Sequence, residues 1–180
     1  MPKYPSLTAF IVHGHDHQFR DAVKSHLTKT LGFKEAVVLD ATASAGLTVI
    51  EKFERESKRC DVAIVLLTPD DEARTREGLP YKTARPNVWF ELGYFIGFLG
   101  RKTGRVILLF KKGLDMPSDL AGVIYIDATE GFRNKELRQK IEVELNSILQ
   151  RPVANLALEP LPAAILSTEL RLEGTVRLLQ

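Results

Sequence analysis

The chain has 180 residues, 44% hydrophobic and 27% charged, a composition that excludes a disordered, collagen-like or disulfide-stapled protein. One domain of this length buries roughly 70% of its unfolded surface without covalent staples. Twenty-five Lys and Arg against 23 Asp and Glu leave a net charge of +2, too weak a field to make nucleic acid or an anionic membrane the main partner, so any ligand has to be argued from a site.

The lone cysteine, Cys60, excludes an intrachain disulfide and fits a reducing compartment. Pro2 and Pro5 stand where a signal peptide needs an unbroken apolar core, so the chain reads as cytoplasmic. The longest apolar stretch, 88–99, contains Glu91 and is shorter than the roughly 20 residues of a membrane span.

In chain order, residues 7–12 form an apolar, β-rich run that stops at His13-Gly14. Asp16 then occupies an N-cap position before the helical set Phe19, Val23, Leu27 and Leu31, closed by Gly32. Residues 36–39 repeat the strand signal. A loop of small residues from Asp40 to Gly46 follows, then a helix carrying Val49, Ile50 and Phe53 behind a Thr48/Glu51 capping box. Residues 62–67 are apolar at every position, the mark of a strand covered on both faces. Residues 72–85 are charged and broken by Gly78 and Pro80, and read as an exposed loop or a ragged short helix. A helix hydrophobic nearly all round spans 87–99, followed by strands at 106–110 and 123–126 and a last helix at 134–149.

This alternation predicts an α/β fold, a flavodoxin-like doubly wound parallel sheet of five strands in the order 2-1-3-4-5. The loops after Val12, Leu39 and Leu67 then meet around one crevice at the carboxyl ends of the strands. Residues 1–150 read as the domain. Pro152, Pro160 and Pro162 frame a linker within 151–180, which ends in a short apolar appendage.

Glu91 is the most informative residue. It is the one carboxylate on an otherwise apolar helix, with Asn87, Val88, Tyr94 and Phe95 as its helical neighbours. A lone buried carboxylate costs several kcal/mol, so it finds a partner or faces a cleft. The alternative places it in the first helical turn, held by the helix dipole. Gly93 and Gly97 clear one stripe of this helix, most simply for packing on the sheet. His13, His15 and His17 alternate, but they sit at a strand-to-helix turn with no cysteine cluster or His-Glu-x-x-His helix to complete a ligand set, so no metal is expected. Gly14 and the amide groups opening the first helix suit a phosphate, or simply a capped helix with solvated histidines. A phosphoryl receiver is disfavoured because Asp70 and Asp71 follow Pro69 and no lysine ends the fifth strand.

Taken together, the segments FIVHGHD at 10–16, GLTVIEKFE at 46–54, VLLTPDD at 65–71 and NVWFELGYFIGFLG at 87–100 resemble the TIR-like domains of bacterial antiphage effectors, the type joined to cyclic-nucleotide sensing modules such as STING. MPSD at 116–119 and Gly122 continue the likeness. The resemblance implies cleavage of NAD+ at the nicotinamide–ribose bond, with the family's helix glutamate falling on Glu91, NAD+ as substrate and no cofactor. It further implies that His13, Gly14, His15 and Asp16, the loop from Asp40 to Gly46, and the turn from Thr68 to Asp70 shape the nucleotide crevice. Arg85 would meet a phosphate beside Asn87, and Trp89 would stack on a ring or belong to the core. Such domains work as homo-oligomers on activation, with a cyclic-nucleotide sensor domain or partner chain supplying the signal. The alternative is a non-catalytic nucleotide-binding or homotypic interaction module.

Overall fold

A computed structural model describes residues 2–41, 45–100, 103–115, 120 and 123–150. The predicted linker and appendage at 151–180 lie outside the described residues, as do the 116–119 segment and Gly122.

Strand β1 (Thr8–Val12) leads into helix α1 (His17–Ser25), and β2 (Glu35–Val37) leads through a short 3-10 turn (Leu39–Ala41) toward helix α2 (Val49–Ser57). The wholly apolar β3 (Val62–Leu67) is buried at all its positions. Strands β4 (Asp71–Arg74) and β5 (Pro80–Thr83) follow, then helix α3 (Pro86–Phe95), β6 (Val106–Phe110), β7 (Ile124–Asp127) and helix α4 (Lys135–Gln150). The local signals act as read: the Asp16 carboxylate accepts from the Phe19 N–H at 2.9 Å, and Thr48 and Glu51 close a reciprocal capping box. Both α1 and α3 end in a π-helical turn, His26–Thr30 and Ile96–Gly100.

The central sheet is parallel and runs β2-β1-β3-β6-β7, which is the predicted 2-1-3-4-5 order once the β4–β5 pair is set aside. Ala9 lies opposite Ala36 and Val62, and Val65 opposite Val12 and Leu108. Alternate side chains feed two separate cores. Ile11, Ile64, Leu66, Ile107 and Leu109 pack under α1 and α4, whereas Phe10, Val12, Val65, Leu67 and Leu108 pack under α2 and α3. Each such side chain contributes about 1.5–3 kcal/mol by leaving water.

Two expectations need correction. Residues 72–85 hold neither an open loop nor a helix: β4 and β5 form an antiparallel hairpin with Glu72 opposite Lys82, their charges 3.5 Å apart. Its turn is built by Gly78 at φ +83° and by the Thr75 hydroxyl accepting from the Glu77 and Leu79 N–H groups. Cross-strand pairs and turn chemistry hold it, which apolar periodicity does not register. The Trp89 indole N–H donates to the Thr83 hydroxyl at 3.0 Å, tying the hairpin's end to α3. Second, Gly93 and Gly97 do not pack on the sheet. Both are exposed, and a Cβ on either would meet nothing within 4 Å. Among the described residues no helix is long and apolar enough to cross a membrane.

Candidate functional site

Two loops and one helix converge at the carboxyl ends of β1 and β2. Beyond Val12 the chain turns at His13 and Gly14; beyond β2 the 3-10 turn presents Asp40; and α3 enters from below, with Arg85 at its N-cap and Pro86 at its first position. Pro86 fixes the start of α3, so Asn87, Val88 and Glu91, spaced by one helical turn, share the face turned to the loops. The result is a cleft of ≈160 Å³ lined among others by His13, His17, Asp40, Arg85, Asn87 and Glu91.

Glu91 sits in the second turn of α3, half-buried, with no hydrogen-bond or ion-pair partner among the described residues. Burial pushes its carboxyl up to about 7, and the negative charge of Asp40 adds to the shift. Glu91 lies past the first turn of α3, where the pull of the helix dipole has fallen off, which weakens the dipole reading. Removing a proton from Glu91 therefore becomes easier whenever a cation enters the cleft.

His13 is nearly covered, its side chain 9% exposed, whereas that of Asp40 is 71% exposed. Burial lowers the His13 pKa, against the pull of the Gly14 carbonyl and Asp40. The neutral ring then donates Nδ1–H to the Gly14 oxygen at 2.8 Å, leaving Nε2 3.5 Å from Asp40. Arg20 stands 4.0 Å from the same carboxylate. The cleft thus pairs two acids, Glu91 and Asp40, with the permanent cation of Arg85 at its rim.

Of the residues expected at the crevice, His13, Gly14, Asp40, Arg85, Asn87 and Glu91 come together here. The others lie elsewhere. His15 is exposed, its carbonyl accepting from the His17 N–H. Asp16 turns to the far side of the β1 loop, where its carboxylate meets the Lys111 ammonium at 2.6 Å; burial opposes ionisation, but Lys111 and the Phe19 N–H hold the acid below its ordinary range. Thr68 is buried and donates its hydroxyl to Asp70 at 2.8 Å, and that carboxylate lies against Gly14. Gly46 is exposed with φ +80°, and 42–44 lie outside the described residues. Trp89 packs against the α2/α3 core with its indole nitrogen spent on Thr83.

Sequence reasoning missed an apolar recess of ≈260 Å³ that continues from the cleft through the shared residues Leu39, Val49, Asn87 and Glu91. Phe53 forms its buried wall. Val49, Ile50 and Phe90, 73%, 60% and 61% exposed, form its rim. Of the apolar set Val49, Ile50 and Phe53 that α2 carries, only Phe53 is buried. The one available signal was Phe90, an aromatic beside the lone acid. Among the described residues no group of three or more His, Cys, Asp or Glu is placed to hold a metal ion.

Residues 8–130 match the model of the CAP12/Pycsar effector protein TIR domain. The chain is 43% identical over 134 residues to the uncharacterized protein YuaY of Escherichia coli, covering 72% of this chain and 43% of that protein. It is 37% identical over 146 residues to protein tirC of Dictyostelium discoideum, covering 75% and 70%. It is 43% identical over 86 residues to the Pycsar effector protein PaPycTIR of Pseudomonas aeruginosa, covering 47% and 26%. The match thus spans under half of YuaY and about a quarter of PaPycTIR.

Proposed function

Because this chain belongs to the TIR domain family of CAP12/Pycsar effectors, we propose that it cleaves NAD+ at the nicotinamide–ribose bond, as the effector of an antiphage defence response. The products are nicotinamide and ADP-ribose or a cyclised form. The observation that carries this reading is Glu91: an unpartnered carboxyl, raised to about 7, lining a cleft with a second acid and an arginine.

The chemistry asks little of the protein beyond charge placement. When the C1′–N bond breaks, its electron pair passes to the ring nitrogen, and the pyridinium leaves as neutral nicotinamide, so no general acid is needed. Positive charge develops on the ribose as an oxocarbenium ion. An anionic Glu91 facing it stabilises the transition state, the more so because the surroundings that resist its ionisation also leave its charge poorly screened. Water then adds its oxygen to C1′ and releases a proton to solvent. Asp40 adds to the negative field that attracts the pyridinium, and Arg85 suits the pyrophosphate. The apolar recess at Val49, Ile50 and Phe90 would take the flat base, and it favours the neutral product over the cationic reactant.

Assembly into a homo-oligomer and activation through a cyclic-nucleotide sensor domain or partner chain belong to the same proposal. Nicotinamide release from NAD+ at high protein concentration tests it, with Glu91→Gln and Glu91→Ala alongside. Multiple turnover by wild-type protein, reduced at least ~100-fold in both variants, is expected, corresponding to about 3 kcal/mol of lost transition-state stabilisation. Equal rates in all three sink the assignment of Glu91, and saturable NAD+ binding without product makes the chain a nucleotide-binding module.

A further inference from the structure

A second cavity, ≈380 Å³, opens on the other face of the sheet, over the core that packs under α1 and α4. It is built by segments that follow three strands: Asp16 after β1, Lys111 after β6, and residues 130–133 after β7, with Arg138 from the first turn of α4. It therefore lies at the carboxyl edge of the sheet, where open parallel sheets hold ligands.

The charges in it are unevenly spent. Lys111 is committed: its ammonium is 2.6 Å from Asp16 and 4.8 Å over the Phe19 ring. Arg133 and Arg138 line the cavity without an ion-pair partner among the described residues, and against them stands only Glu130. With the Asp16–Lys111 pair neutral, one positive charge remains. The apolar wall is aromatic, Phe132 standing 6.2 Å from Phe19. Lys111 occupies a face of Phe19, so half-buried Phe132 is the open ring surface. Behind Phe132, 5.1 Å away, lies His26, 7% exposed, whose Nε2 has no hydrogen-bond partner.

We infer that this cavity binds a small planar molecule carrying a phosphate, of the nucleoside monophosphate class, with its ring against Phe132 and its phosphate between the guanidinium groups of Arg133 and Arg138. Guanidinium offers a planar, bidentate match to phosphate oxygens, and the aromatic wall supplies the area that a free anion would not use. The inference is independent of Glu91 and its cleft.

Titration of the full chain with adenosine 5′-monophosphate, followed by calorimetry and amide chemical shifts, tests it. Saturable binding with Kd on the order of 10⁻⁴ M is expected, with shifts at Phe132 and Arg138. The double variant Arg133→Ala/Arg138→Ala should weaken it at least ~10-fold with an unchanged melting temperature, and Arg138→Lys should lose less. Arg85→Ala and Glu91→Gln should leave it as it was. Adenosine alone and inorganic phosphate alone should each bind at least ~10-fold more weakly. No saturation by ~10 mM nucleotide overturns the proposal. So does binding lost in Arg85→Ala but kept in the double variant, which would move the ligand to the Glu91 cleft. Phosphate binding as tightly as the nucleotide overturns the aromatic class of the ligand. None of these outcomes depends on whether NAD+ is cleaved.

Discussion

The carboxylate of Asp70 rests against the bare α-carbon of Gly14, so closely that a Cβ there would overlap its Oδ2. The loops after β1 and β3 are thereby locked together beside the cleft, with the Thr68 hydroxyl holding Asp70 from the other side at 2.8 Å.

Gly14→Ala should therefore cost about 1–3 kcal/mol, as overpacking does, and lower the melting temperature. The strain is steric and local, because φ at this glycine is not positive. Asp70→Gly in the same chain should recover most of the loss. Thermal melts of the two single variants and the double variant check this, and simple additivity would count against the contact.

Stability should carry the signature of Glu91. A carboxyl raised from 4.5 to about 7 keeps its proton in the folded chain between those values while the unfolded chain has lost it. Folding stability from this group thus falls as pH rises from about 4.5 through 7, by about 3 kcal/mol in all. Glu91→Gln removes the titration. Its stability relative to wild type should rise by that amount from pH 4 to pH 8, measured by denaturant unfolding at each pH.

Activity should run in the opposite sense. Only the ionised Glu91 can face a developing cation, so kcat/KM for NAD+ should climb with pH and level off above an inflection near 7. Asp40→Asn takes away the neighbouring negative charge, which moves the inflection to lower pH; burial, the larger cause, keeps it above the ordinary glutamate value. The same variant should raise KM, since the cleft loses half of its attraction for a cation. An inflection unmoved by Asp40→Asn would show that the two carboxylates do not sense each other.

Gly93→Ala offers a test of α3 itself. The position is helical and exposed, with open space where a Cβ would go. Replacing the glycine should stabilise the chain by about 0.5–1 kcal/mol through lost backbone freedom in the unfolded state. A melting temperature below wild type would indicate a contact on this face.

How far these features were legible in the sequence depends on what holds each of them. Strands 62–67 and 106–110 are readable to the residue because unbroken apolar runs between polar loops leave one register for burial. Glu91 stands out because one charge in an apolar helix has few tolerable surroundings. The β4–β5 hairpin leaves no such trace, since its stability lies in cross-strand pairs and a glycine turn. Asp16 is a helix cap in sequence and in space, yet its meeting with Lys111, 95 residues away, is a fact of tertiary placement. The recess rimmed by Val49 and Ile50 is hidden for a related reason: an apolar helical pattern does not say what its face looks upon.

The β4–β5 hairpin stands apart from the rest of the domain. Residues 71–83 give no side chain to either core and reach the body of the domain chiefly through Thr83 and through the Lys82 carbonyl, which accepts from the Asp115 N–H. Such an arm is free to lengthen, shorten or change its tip among relatives while the sheet beneath it stays intact, and it is the natural place to splice in a tag or reporter without disturbing the domain that carries it.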